Sequence, residues 1–292
     1  MSIIWGIPYL FIRIAVAEIS PAMLVLARTA IASAILLPIA LARVDLRPIL
    51  ARWRWVVAFA ATEIAIPWVM LGSAEQHLSS SLTGLLVAGV PLVGVALAMA
   101  TGGSDRLGGI GLAGLFIGLL GVAFIVGADF QATDVVSLLQ VAVVVIGYAV
   151  GPAILARRLS DLSSLGVMSV SLALTALVYV PIGIVQWPAD VPSTTVLLAV
   201  LILAVVCTAI AFLVFAALIA EIGPVRATVI TYVNPAVAAV LGVAVLSETF
   251  TLGMGIGFGL VILGSLLATG RFGGAREGGG SSVGSGLRPA ER

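Results

Sequence analysis

Three charged residues stand inside apolar runs of this chain: Arg13, Arg28 and Glu63. Charge at membrane depth is costly, and its default meaning is functional. Arg28 lies about eight residues, or about 12 Å, from one end of its run. Glu63 lies about eight residues from the opposite end of the next run. Across an apolar layer of about 30 Å their depths then differ by about 6 Å, within reach of the two side chains. An ion pair between them is expected. It serves either as a structural tie or as a place where a coupling proton or a cationic solute meets a carboxylate. A carboxyl that is both buried and close to an arginine is pulled in opposite directions, which lets it titrate near neutral pH. Arg13 lies about five residues from the end of the first run, close enough to snorkel.

Neutral polar residues extend the candidate list. Thr228, Thr231, Tyr232 and Asn234 cluster beside Pro235 and are able to hydrogen-bond a polar solute or a neighbouring helix. Tyr9, Trp68, Gln140 and Tyr148 are further candidates. Pro8, Pro67, Pro91, Pro152, Pro181 and Pro235 fall inside apolar runs, where each removes a helix hydrogen bond. Kinks are expected at Pro8, Pro67, Pro91, Pro152 and Pro235. The single histidine, His77, and single cysteine, Cys207, give no nucleophile–base or metal-ligand set, and no acidic pair lies within a run. No enzyme, cofactor or metal is expected, and no nucleic-acid partner. Gly109-Ile-Gly111-Leu-Ala-Gly114 has the spelling of a dinucleotide loop but lacks the strand that such a loop must follow.

The elements that must position these residues are spelled by composition. The 292 residues are 61% hydrophobic and 9% charged, more apolar than a soluble domain requires. Runs of about 20 apolar residues, the length that spans a bilayer, recur along the chain. Ten spans are expected, at 3–18, 21–42, 55–75, 80–100, 109–127, 135–157, 163–186, 194–217, 225–246 and 253–270. Ala15-Val16-Ala17 resembles a leader-cleavage site, but no basic segment precedes it and Arg13 interrupts the run, so retention is expected. Residues 271–292 are Gly/Ser-rich and read as a disordered cytoplasmic tail. Trp5, Trp53, Trp55 and Trp187 lie near span ends, as interface anchors do. Gly114 with Gly118, and Gly255 with Gly259, have the spacing of close-packed helix faces.

All basic residues are arginine, and their placement is one-sided. One set of loops holds Arg43, Arg47, Arg52, Arg54, Arg106, Arg157, Arg158, Arg226 and Arg271. The alternate set, around Glu18, Glu75–Ser79, Asp129–Asp134, Asp190 and Ser247–Thr251, holds none. The positive-inside rule puts the first set, and both termini, in the cytoplasm of a multi-pass protein of the inner or plasma membrane.

A repeat runs through these spans. A step of about 144 residues lays Pro8 on Pro152, Arg13 on Arg157, Pro91 on Pro235, Gly109 on Gly253 and Gly111 on Gly255. It divides the chain into five-span halves, 1–128 and 129–270. An odd number of spans per half inverts the second copy relative to the first, the usual build of secondary carriers. The same step lays Glu63 on Cys207 and Arg28 on Leu172, so a site between the halves is chemically lopsided.

The chain resembles the EamA-type family of the drug/metabolite transporter superfamily. The resemblance rests on Trp5-Gly6, Ser20-Pro21 followed by Arg28, Pro91, the ARRLSD turn at 156–161, and IGPVRATVITYVNPAVAAVLGVAVLSETFTLGMGIGFGLVILG at 222–264. It implies an all-α, ten-helix carrier that exports small metabolites such as amino acids by alternating access, as monomer or homodimer. A flippase for sugar- or phosphate-bearing conjugates is the alternative. One departure stands out: Glu248 follows the ninth span, but Ser104 and Asp105 stand where a matching glutamate would follow the fourth.

Overall fold

The computed structural model describes residues 1–100, 109–127, 134–222 and 233–269. Thr228, Thr231, Tyr232, Ser104, Asp105, Arg106, Arg226, Arg271 and the tail lie outside the described residues. Every regular element among the described residues is helical. Among the described residues, seven helices are long and apolar enough to cross a membrane: α2 (Pro21–Arg43), α3 (Trp53–Ala74), α4 (Ser80–Ala100), α5 (Gly109–Gly127), α6 (Val135–Arg158), α7 (Ser164–Val185) and α8 (Thr194–Phe215). Three apolar helices are shorter: α1 (Ser2–Ala15), α9 (Asn234–Leu246) and α10 (Leu252–Ala268). A one-turn helix at Arg47–Ala51, read as loop in the sequence, leads into α3.

The arginine-poor ends of these helices are capped by side chains. Ser20 accepts a hydrogen bond from Met23 N–H, Ser79 from Leu82 N–H, Ser193 from Val196 N–H and Thr251 from Met254 N–H. Asp134 accepts from the backbone N–H of Val136 and of Ser137. Each cap satisfies donors that the first turn leaves open and is worth about 0.5–2 kcal/mol.

Helices pair across the bundle. α5 packs on α10, α2 on α7, α4 on α9, α3 on α6 and α1 on α8. The α5–α10 contact is built on glycine, but not on all the expected ones. Gly114, Gly118 and Gly121 of α5 meet Gly257 and Gly264 of α10. Gly255 touches only the Phe250 ring, and Gly259 is exposed, with open space where a side chain would stand. The heptad-like offset puts 257 and 264 on the facing side, about 100° per residue fixing which glycines meet. Outward, α5 shows Ile110, Leu112, Phe116, Leu119 and Phe124, an apolar face suited to lipid. Length, hydropathy and this outer face make the chain a multi-pass membrane protein.

The prolines behave unequally. α1 is interrupted at Ile7 before Pro8, and α4 at Ala88–Gly89 before Pro91. α9 begins with Asn234-Pro235. α3 opens into a π-turn at Ala60–Ala65, immediately before Pro67. Pro152 lies within the continuous helical run of α6, on an exposed face. A second π-turn, Val205–Ile210, widens α8. No proline follows it, because Ala211 stands in the equivalent place, so proline alone does not cause the widening. Trp5, expected at the interface, packs on Phe212 and Phe215, with ring centroids at 6.2 and 4.7 Å.

Candidate functional site

Arg28 is carried inward by α2 and is 7% exposed. Its Nε donates to Thr208 Oγ1 at 2.8 Å, and its guanidinium carbon lies 3.6 Å from the centroid of the Trp68 ring. Thr208 belongs to the π-turn of α8 and donates its own hydroxyl proton to the Leu203 carbonyl at 2.8 Å. The wide turn thereby aims one hydroxyl at Arg28 while keeping it satisfied. A cation over an indole face is worth up to about 2 kcal/mol when desolvated. Tyr148 of α6 stands beside Trp68 and within electrostatic reach of Arg28 and Glu63. Tyr9 of α1 is buried within reach of Tyr148 and Arg28.

Glu63 does not pair with Arg28. Among the described residues, Arg52–Asp161 is the one ion pair, and Glu63 Oε2 is buried without a hydrogen-bond partner. Similar depth was a poor guide because two residues at nearby heights are able to face different neighbours. Arg28 turns toward α8, whereas the π-turn of α3 swings Glu63 onto α6. There Gly151 leaves the room: a Cβ on it would lie 3.1 Å from the Glu63 carboxyl carbon. Gly147, one turn earlier, admits the Thr62 carbonyl and the Pro67 ring. Tyr179 of α7 donates its hydroxyl to the Ala65 carbonyl at 2.8 Å and holds the end of the same π-turn.

The other candidates are distributed. Arg13 is remote from Arg28: its guanidinium donates to the Glu75 carbonyl at the arginine-poor end. Gln140 lies about two turns from Tyr148 along α6, its Oε1 buried and without a partner. Asn234 opens α9, its carbonyl facing Gly6 of α1. The structure therefore gathers Tyr9, Arg28, Trp68 and Tyr148, keeps Glu63 within electrostatic reach of Tyr148 but unpaired with Arg28, and separates Arg13.

With this geometry in view, the comparisons are decisive for the family. A profile of the EamA-like transporter family matches residues 1–127 and again 136–270. The chain belongs to the EamA-like transporter family. That family lies within the drug/metabolite transporter superfamily, whose members are transporters. No curated protein matches the chain. Fourteen chains of solved structures do. One, described as "Crystal structure of protein", is 23% identical with a TM-score of 0.67, over 92% of this chain and 94% of its own. At that identity the likeness concerns the fold.

In this EamA-family chain the ends of the bundle are tied by polar contacts. Glu248, after α9, accepts from the backbone N–H and the hydroxyl of both Ser80 and Ser81, at 2.6–3.1 Å. It thus caps the first turn of α4 across the bundle. Glu18 accepts from Ser193 N–H and Oγ at 2.6 and 2.7 Å, and these bonds lower its carboxyl pKa. At the arginine-rich end, Arg52 forms a two-pronged bond with Asp161 at 2.5 and 2.8 Å, and holds that carboxyl below its ordinary range.

The sequence reading missed Thr208, Tyr179, Gly151 and Glu75. Thr208 was adjacent to Cys207, the repeat partner of Glu63, which was the available clue. Glu75, assigned to a loop, is fully buried, and both its carboxyl oxygens lack a partner among the described residues.

Proposed function

We propose that this protein is a secondary carrier of ten transmembrane helices, arranged as inverted repeats over 1–128 and 129–270. It exports small metabolites, such as amino acids or related organic solutes, across the cell membrane by alternating access. The observation that carries this reading is the Arg28 guanidinium. Trp68 covers its face and Thr208 takes its Nε, while its other donors make no hydrogen bond within the described residues. A planar fork held in this way matches a carboxylate bidentately. Arg28 and Trp68 come from the first half, Thr208 and Tyr148 from the second, so relative motion of the halves would remake the site. The single guanidinium favours one carboxylate over a phosphate-bearing conjugate, for which several arginines are expected.

Further support for two inverted repeats comes from the pairing of α1 with α8 alongside α6 with α3, and from π-turns at Ala60–Ala65 and Val205–Ile210. The one-sided arginines support an orientation with both termini cytoplasmic. The site is assembled within one chain, so a monomer suffices.

The test is counterflow in proteoliposomes with a labelled panel of amino acids and organic acids. Saturable exchange of carboxylate-bearing solutes is expected, and Arg28→Gln should abolish it. Absence of exchange for every solute by folded wild-type protein, or undiminished exchange by Arg28→Gln, would overturn the reading.

A further inference from the structure

Two carboxyl groups in this chain have buried oxygens without a donor among the described residues: Glu63 and Glu75. They stand at two levels of one helix. Glu63 lies in the π-turn of α3, and Glu75 is the residue that ends α3, 0% exposed. Twelve residues separate them, about 18 Å along the axis. Two phenols are their titratable neighbours. Tyr9 of α1 lies within electrostatic reach of Glu75 and Tyr148, and Tyr148 of α6 within reach of Glu63 and Glu75.

Beyond Glu75 the structure opens. A cavity of about 400 Å³ is lined by Arg13, His77, Ser79 and Glu248, with Leu78, Leu82 and Leu246 between them. Its polar groups are mostly committed. Arg13 gives a hydrogen bond to the backbone carbonyl of Glu75, not to its carboxylate. Glu248 is occupied by Ser80 and Ser81.

An ionised carboxylate with no donor is among the most costly groups to bury, whereas a carboxylic acid brings its own hydrogen. The groups facing Glu75 leave the balance there. Among the described residues, Arg13 of α1 is the cation that acts on it, and Glu248, from the α9–α10 turn, opposes a second negative charge. Tyr9 and Tyr148 are also within electrostatic reach of it, with His77 two residues away in the cavity wall. Around Glu63 the titratable neighbour is Tyr148, and no cation lies within ion-pair distance among the described residues.

We propose that Glu75 is a proton-binding site of the carrier, exchanging with water through the Arg13–His77–Glu248 cavity. The proton is then a second cargo, moving down its gradient as solute leaves. This rests on the carrier reading above. The step balances simply: hydronium in the cavity gives a proton to the Glu75 carboxylate, and the resulting carboxylic acid later returns it to water.

Two experiments separate this proposal from the carrier reading. The first needs no transport. Purified protein in lipid nanodiscs is treated with dicyclohexylcarbodiimide, which condenses with protonated carboxylic acids in apolar surroundings, and labelled peptides are located by mass spectrometry. Labelling of Glu75 and Glu63 at neutral pH, fading as pH rises, is expected, with Glu75 still labelled in Glu63→Gln. Folded wild-type protein unlabelled at Glu75 would overturn the proposal whatever the protein carries. The second uses proteoliposomes with the amino-acid and organic-acid panel, with and without a pH gradient. Glu75→Gln should lose gradient-driven accumulation and keep exchange at equal pH. Normal gradient-driven accumulation by Glu75→Gln sinks the proton site. Wild-type protein that labels at Glu75 yet exchanges no solute defeats the carrier reading instead.

Discussion

At the scale of single residues, the site depends on what each side chain faces, not on how deep it lies. Arg28 and Glu63 have similar depth and different partners: Thr208 and Trp68 for one, Gly151 for the other. Gly151 is the more exacting position, because the Glu63 side chain fills the space a Cβ would take. Gly151→Ala should therefore destabilise the folded protein by about 1–3 kcal/mol, as overpacking does. Glu63→Ala should relieve most of that cost, and a double-mutant cycle from thermal unfolding in detergent would read the coupling. Strict additivity of the two changes would place Glu63 elsewhere. The Asp161–Arg52 pair makes a pH-dependent prediction. Because Arg52 depresses the Asp161 pKa, the pair stabilises the folded state above the ordinary aspartate range, and the contribution disappears as pH falls through the depressed value. Asp161→Asn should thus lower the melting temperature at neutral pH, and the gap to wild type should close on acidification. A gap that persists in acid would assign the effect to something other than ionisation.

Among the elements, helix bounds were legible because an apolar run of spanning length has sharp polar ends; the long helices start and stop within a few residues of the expected positions. The π-turns were not legible. Ala60–Ala65 and Val205–Ile210 have the same apolar composition as the helix around them, and only backbone pairing distinguishes them. Nor did spacing alone decide which glycines pack. Gly255 and Gly259 have the same four-residue interval as Gly114 and Gly118, yet α10 turns Gly257 and Gly264 toward α5. The difference is measurable. At Gly264 a Cβ would come within 2.6 Å of the Gly118 Cα, backbone that has no rotamer to yield. Gly264→Val should separate α5 from α10 and lower thermal stability by at least the 1–3 kcal/mol or so of ordinary overpacking. Gly259→Val, in open space at the lipid face, should leave stability near that of wild type. Equal losses from the two changes would mean that α10 presents another face.

For the whole molecule, the distribution of arginine and the ties at each end describe one arrangement. The arginine-rich end carries Arg52 with Asp161, and Arg158 stacked 4.5 Å over Trp55. The arginine-poor end carries Glu18 with Ser193 and Glu248 with Ser80 and Ser81. The rule that arginine-bearing short loops are retained inside predicts a cytoplasmic arginine-rich end. Cysteine placed singly at Asp45 or Asp190, each on a Cys207→Ser background, reads this out with a membrane-impermeant thiol reagent. Cys207 is 1% exposed, so its removal costs little of the labelling surface. Asp190→Cys should react in intact cells, and Asp45→Cys only after the membrane is permeabilised. The reverse pattern would turn the protein over in the membrane. The helix pairings and the Arg28 site would stand unchanged, but the Arg13–His77–Glu248 cavity would then open to the cytoplasm, and a proton entering there would leave the cell as solute is drawn in.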